Sequence, residues 1–198
     1  MMLVAAQLAL SACASKPPPL PRLASDARLL AFGDSLTAGT GATAEQAYPA
    51  VLGALIHREV INAGVPGETS SEGRVRLPQV LDDAQPQLVI LCEGGNDMLR
   101  RMDAAQMRAN LTAMIREVQS RHIALVLLAV PHPAIFGLKA DPVYASLADE
   151  FHLPVESSAL SAIIGDNARK ADQIHPNAQG YTDLARAVAK LLADAGAV

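Results

Sequence analysis

Ser35, Gly67, Asn96 and the pair Asp172 and His175 are the residues of this chain whose types and settings could carry covalent chemistry. Ser35 lies in FGDSLTAG, residues 32–39, directly after the apolar stretch Leu29 to Phe32. A hydroxyl in such a glycine-flanked turn at a strand end is exposed yet rigidly held, which suits a nucleophile. Serine is weakly nucleophilic at neutral pH and needs an adjacent base, commonly an imidazole oriented by a carboxylate. Among five histidines, His175 is the best placed, because Asp172 precedes it by three residues. One turn can then return the carboxylate to Nδ1 and leave Nε2 facing outward. Pro176 biases His175 away from helical geometry and suits the opening of a final helix. The same residues admit plainer duties: Asp34 and Ser35 as caps of the next helix, Asp172 and His175 as a surface turn.

Acyl transfer also requires donors aimed at a developing oxyanion. Gly67 in VPGETS can bring its N–H close to a ligand, Asn96 in EGGND offers a side-chain amide, and the N–H of Ser35 makes a third. Taken singly, each would pass for an ordinary loop residue. Asp34 and Asp97 read as structural supports whose carboxylates hold their own loops in shape.

The elements that must position these residues alternate along the chain. Residues 28–33, 58–63, 87–92 and 123–130 read as strands, with a weak fifth at 153–156. Helical spacing of apolar residues runs through 44–57, 72–83, 103–121, 142–151 and 177–195. Alternation of this kind predicts right-handed βαβ crossovers and a parallel sheet covered by helices on both faces. Ligands gather outside the carboxyl ends of such strands. That rule brings FGDSLTAG, NAGVPGETS (62–70) and EGGND (93–97) to one rim.

GDSL at 33–36, Gly67, GGND at 94–97 and DxxH at 172–175 together resemble the SGNH hydrolases, also called GDSL lipases and esterases. The pattern looks most like their bacterial arylesterases, acyl-thioesterases and lysophospholipases, and it covers about residues 27–195. The resemblance implies Ser35 as nucleophile, His175 as base, Asp172 as third triad member, and the amides of Ser35, Gly67 and Asn96 as the oxyanion hole. It also implies a flavodoxin-like, three-layer α/β/α sandwich with a mostly parallel five-stranded sheet, and no cofactor.

Composition fits that class. At 198 residues, 51% apolar and 18% charged, the chain suits one globular domain, and a net charge of −4 argues against nucleic acid as a partner. Met2 to Ala12 is almost wholly apolar and meets Cys13 in the context LSAC, which resembles a bacterial lipobox, although no Lys or Arg precedes the run. The expected organisation is a signal peptide at 1–13 with Cys13 as lipid acceptor, a proline-rich linker at 14–26, and the hydrolase domain at 27–198. That organisation places the protein outside the cytoplasm, periplasmic and membrane-anchored only through its N-terminus; these residues do not speak to oligomeric state. Cys92 lies in the apolar run LVILC and reads as a buried thiol without chemistry. No CxxC, HExxH or clustered His and carboxylate pattern calls for a metal.

Competing motifs fail on position. GTGATA (39–44) imitates a dinucleotide fingerprint but begins several residues past the strand, and neither GxSxG nor a Walker sequence is present. The expected substrate is a small acyl ester, aryl ester or thioester. A lysophospholipid or an O-acetylated carbohydrate are the alternatives on the same site, and an anchored binding protein without turnover is the alternative of another class. Only 3% of residues are aromatic, which disfavours sugar-stacking platforms. In the apolar segment 129–144, Ile135, Phe136 and Leu138 are either wall residues for an acyl chain or packing beneath a long loop.

Overall fold

Every residue of the run Leu88–Cys92 (β3) is buried, as are Leu29 to Gly33 of the neighbouring run Arg28–Gly33 (β1). Apolar on both sides, such strands are stable only when helices cover both faces of their sheet. The computed structural model describes residues 16–198 and has this arrangement; the apolar run, Cys13 and the lipobox reading lie outside the described residues. β1 and β3 form the centre of a five-stranded sheet with Glu59–Gly64 (β2), Ala124–Leu128 (β4) and the short Val155–Glu156 (β7). The order is β2-β1-β3-β4-β7, with every pairing parallel. This is the flavodoxin-like order, whose direction of winding reverses beside β1.

The helices are Ser35–Ala38 (α1), Tyr48–Ile56 (α2), Ser70–Ala84 (α3), Gly95–Leu99 (α4), Ala104–Ser120 (α5), Pro142–Phe151 (α6), Ala159–Gly165 (α7) and Ala178–Asp194 (α8). Right-handed crossovers send the connection after β1 to one face and those after β2, β3 and β4 to the other. Accordingly α2 packs against α8, and α3 against α5. The core spans both layers and includes Phe32, Leu52, Leu77, Ile90, Met114, Leu127 and Leu184, all essentially without solvent contact. Truncating one of these leucines to alanine would cost about 2–5 kcal/mol, since a filled interior cannot close over the gap.

The five expected strands are present and the five expected helical segments are occupied, with ends moved by a residue or two; 44–57 divides into a 3₁₀ turn at Ala44–Gln46 and α2. The sequence pattern did not foresee α1, α4 or α7, nor the antiparallel hairpin of Pro131–Pro133 (β5) and Leu138–Ala140 (β6). The proline-rich stretch lies along the domain: Leu20 N donates to Ala195 O at 2.9 Å and Leu23 N to Ala197 O at 2.8 Å. Arg58 adds bonds to Leu23 O and Ala24 O.

Candidate active site

Three loops at the carboxyl ends of β1, β2 and β3 converge with the segment before α8. Gly33 closes β1, and a Cβ there would collide with Cys92 O of β3 and Thr37 Oγ1, so only glycine lets the two strand ends come this close. The chain then turns sharply into α1. Asp34 is its N-cap, accepting from Leu36 N at 2.9 Å, and Ser35 is its first residue. The capping role thus falls to Asp34, which leaves the Ser35 hydroxyl free to point away from the helix.

The imidazole arrives from the other end of the chain. Asp172 Oδ1 accepts from Ile174 N at 2.8 Å and His175 N at 2.9 Å, folding the DxxH segment into a tight turn. Oδ2 lies 2.7 Å from His175 Nδ1. Nε2 lies 2.9 Å from Ser35 Oγ. Ala171 N donates to His175 O and Asn177 caps α8 through Gly180 N, so the turn is pinned on both sides. The cap of the final helix is Asn177, with Pro176 one residue ahead of it. Hydrogen bonds to its imidazole and backbone partners hold the exposed Asp172 carboxyl down to about 2.

Asn96 stands on α4, whose N-cap Gly94 has φ +104°, a conformation few side chains tolerate. Its Nδ2 donates to Glu68 O at 2.9 Å and makes a longer contact of 3.3 Å with Asp34 Oδ2. One amide hydrogen therefore braces the β2–α3 loop, and the other is only loosely committed beside Ser35. Residues 65–68 form a tight turn closed by Glu68 N to Val65 O at 3.1 Å, with Pro66 followed by Gly67 at φ +82°. This is the type II pattern, which requires a positive φ at its third position. Arg100 Nη2 fixes the turn by donating to Gly67 O at 2.8 Å, while the Gly67 N–H has no partner among the described residues. The structure gathers Ser35, Asn96 and His175 on one cleft, with Asp172 behind the imidazole; Gly67 sits in the adjoining turn and does not line that cleft.

Asp97 is buried and accepts from Ser70 N at 2.8 Å and Ser70 Oγ at 2.6 Å, tying α4 to the start of α3. Beneath these loops lies a layer of carboxyl groups that sequence reading did not single out. Glu68, almost fully buried, takes a two-pronged bond from Arg76, which also lies over the Phe32 ring at 4.1 Å. Glu93, just past β3, lies beside the carboxyl groups of Glu68 and Asp34; its Oε2 accepts from Gly94 N at 3.3 Å and its buried Oε1 has no hydrogen-bond partner among the described residues. Burial, reinforced by those two acids, pushes Glu93 far above the ordinary carboxyl range, which favours its protonated form. Burial likewise raises Asp34 to about 6. The visible signal for Glu93 was a charge at the end of a wholly apolar run, LVILCE.

The cleft has a volume of about 400 Å³, within the range of small-molecule sites, and its apolar wall includes Val130, Leu138 and Ile164. Leu138 is thus a wall residue, whereas Ile135 and Phe136 neither line the cleft nor pack beneath the loop. A larger depression of about 690 Å³ runs along α5 but holds no imidazole and no constrained nucleophile. Among the described residues no group of three or more His, Cys, Asp or Glu could hold a metal ion, and Cys92 is a buried free thiol.

A nucleophile, an imidazole and a carboxylate in hydrogen-bonded series, beside amide donors, can open an acyl carbonyl. Comparison with known proteins agrees with that chemistry. Residues 31–182 match the sequence profile of the GDSL-like Lipase/Acylhydrolase family. The chain is 32% identical over 178 residues to the Thioesterase 1/protease 1/lysophospholipase L1 of Escherichia coli, covering 86% of each chain. It is 30% identical over 175 residues to an arylesterase of Vibrio mimicus, covering 83% of this chain and 88% of the relative. The crystal structure of TesA superposes with a TM-score of 0.76 at 30% identity, over 83% of this chain and 97% of that one.

Proposed function

The chain belongs to the GDSL-like lipase/acylhydrolase family, the SGNH hydrolases, and is a hydrolase of the esterase, thioesterase and lysophospholipase type; from that premise we propose that it hydrolyses short to medium acyl esters, aryl esters included, and thioesters through an acyl-enzyme on Ser35. The observation that carries this reading is the unbroken series Asp172 Oδ2 to His175 Nδ1 at 2.7 Å and His175 Nε2 to Ser35 Oγ at 2.9 Å.

In the first half-reaction Ser35 Oγ bonds to the acyl carbon while its proton passes to His175 Nε2. The carbonyl oxygen gains the negative charge, and the Ser35 N–H and the Asn96 amide stabilise it from within the cleft, with the unpartnered Gly67 N–H of the adjoining turn as the third proposed donor. The tetrahedral adduct collapses as the bond to the leaving oxygen or sulfur breaks, and His175 returns the proton to that group. Water then repeats the sequence: its proton goes to His175, its oxygen to the acyl carbon, and Ser35 leaves with the proton. Asp172 stays ionised throughout, fixing the imidazole tautomer and stabilising the imidazolium. Its depressed proton affinity supports that role at any pH where imidazole acts as a base.

Ser35→Ala should lower kcat/KM for a chromogenic acetate or butyrate by about 10⁴ or more, with the fold unchanged by circular dichroism. An organophosphate should label the parent once per chain and leave the variant untouched. Equal turnover by parent and variant would remove Ser35 from the mechanism. We also propose export through residues 1–13 with Cys13 as lipid acceptor and 14–26 as tether; absence of fatty-acid labelling from the expressed protein, or its persistence in Cys13→Ser, would refute that assignment.

A further inference from the structure

The turn that carries Gly67 is held by hydrogen bonds and hardly by packing. Val65 and Pro66 are exposed, and a Cβ at Gly67 would meet one atom beyond its chain neighbours, Nη2 of Arg100 at 3.6 Å. At its base the turn is tied to β1 by Val65 N donating to Gly33 O at 2.9 Å, and Glu68 N closes it onto Val65 O. Its central peptide, between Pro66 and Gly67, has no such tie: neither Pro66 O nor Gly67 N has a hydrogen-bond partner among the described residues. Rotation of that peptide converts a type II turn into type I and reverses the direction of the Gly67 N–H. The direction of the donor is therefore decided by what grips the residues beside it.

Both grips come from α4. Asn96 and its C-cap Arg100 are four residues apart, with Arg100 N bonded to Asn96 O, so their side chains share one face of the helix. They take consecutive carbonyls of the turn: Asn96 Nδ2 donates to Glu68 O at 2.9 Å and Arg100 Nη2 to Gly67 O at 2.8 Å. The bond to Gly67 O is the only hydrogen bond of the guanidinium among the described residues. Glu72 lies near enough to feel the Arg100 charge and offsets it, so the cation acts here through placement more than through net positive field. The same helix lines the cleft through Asn96, Met98 and Leu99. One short element thus carries one amide donor and clamps the turn that carries another.

Resting on the esterase reading above, we propose that Arg100 is a positioning residue of the oxyanion hole: it holds Gly67 O so that the Gly67 N–H stays directed at the acyl oxygen beside the Ser35 N–H and the Asn96 amide. Arg100 touches neither substrate nor reacting atoms, and its whole contribution passes through the turn. The step it serves is addition to the carbonyl, where the oxygen takes up charge. Its loss therefore falls on kcat and spares both ground-state binding and proton transfer to His175.

The test compares the full-length parent with Arg100→Ala and Arg100→Lys on a chromogenic butyrate. Arg100→Ala should lower kcat about tenfold, a fraction of the roughly 10² to 10³ expected for complete loss of one donor, with KM unchanged to about twofold. The rise of its kcat with pH should keep the parental midpoint, because the series from Asp172 to Ser35 is untouched. A trifluoromethyl ketone, whose adduct on Ser35 carries the oxyanion, should also bind about tenfold more weakly. Arg100→Lys, which still donates to Gly67 O, should regain the parental kcat to about threefold. Turnover by Arg100→Ala within about twofold of the parent overturns the clamp, as does an equal fall in the alanine and lysine variants. A lowered kcat with unchanged inhibitor affinity, or with a shifted pH midpoint, would put the effect elsewhere in the site and overturn it too. So would a melting temperature reduced by more than about 5 °C, which would make Arg100 a residue of the fold alone. Ser35→Ala is the separate control: full activity there would sink the esterase reading itself, whereas loss of activity there beside a fully active Arg100→Ala would remove the clamp and leave that reading intact.

Discussion

Two sets of carboxyl groups meet at this site and behave in opposite ways. Asp172 is exposed, and hydrogen bonds from the imidazole side and its own loop hold it down to about 2. Asp34 and Glu93 are buried under the nucleophile and the amide donor, and burial raises both, Asp34 to about 6. In the proposed mechanism the exposed group serves as a charge beside an imidazole that becomes cationic. The buried groups brace loops from different strands: Asp34 accepts from Leu36 N and makes the longer contact with Asn96, while Glu93 lies beside Glu68, to which Arg76 is bonded. The difference teaches that one residue type can be either reagent or scaffold, and that solvent decides which.

The largest effect expected on that comparison comes from the donor resting on the scaffold. Asn96→Ala should lower kcat by about 10² to 10³, near 3–4 kcal/mol, with little change in melting temperature; a drop below tenfold would mean that the amide does not face the oxyanion. Arg76→Ala strands the Glu68 carboxylate in the interior and should cost about 3 kcal/mol of stability, measured by urea denaturation. A change under about 1 kcal/mol would show that the Arg76–Glu68 pair contributes little to the fold. Asp172→Asn keeps the turn but removes the charge. Because that carboxylate is half open to water, a loss of about 10 to 10² in kcat is expected, and a loss above 10³ would make it equivalent to a buried triad acid.

The smallest effect tests the scaffold's protonation. A native carboxyl whose proton affinity is raised keeps a proton that the unfolded chain releases, so stability falls as pH rises above the ordinary value of 4.5. Asp34 contributes the same sign between 3.8 and about 6. Glu93→Gln keeps the side chain's size and cannot ionise. Its melting temperature should therefore gain on the parent's by a few degrees between pH 5 and pH 8. Parallel pH profiles would mean that Glu93 is not held protonated.

What could be read from the sequence follows from length and from solvent. β1 and β3 were legible because wholly apolar runs bounded by polar turns have few alternatives. Ser35, Asn96 and the DxxH pair were legible because each falls just after a strand or just before a helix, where topology brings chain segments to one rim. The four-residue α1 and the five-residue α4 complete too little of a period to register, and the hairpin hides behind Pro131 and Pro133, which strand patterns exclude. Glu68 and Glu93 went unread because a carboxylate is presumed to face water. Only three-dimensional packing shows that both are enclosed.

Ser35 and His175 are 140 residues apart along the polypeptide. On the proposed mechanism, a nascent chain cannot turn over an ester until its last crossover has closed and α8 has docked. Regain of ester turnover during refolding would clock that long-range closure, which is a late event in a parallel-sheet topology.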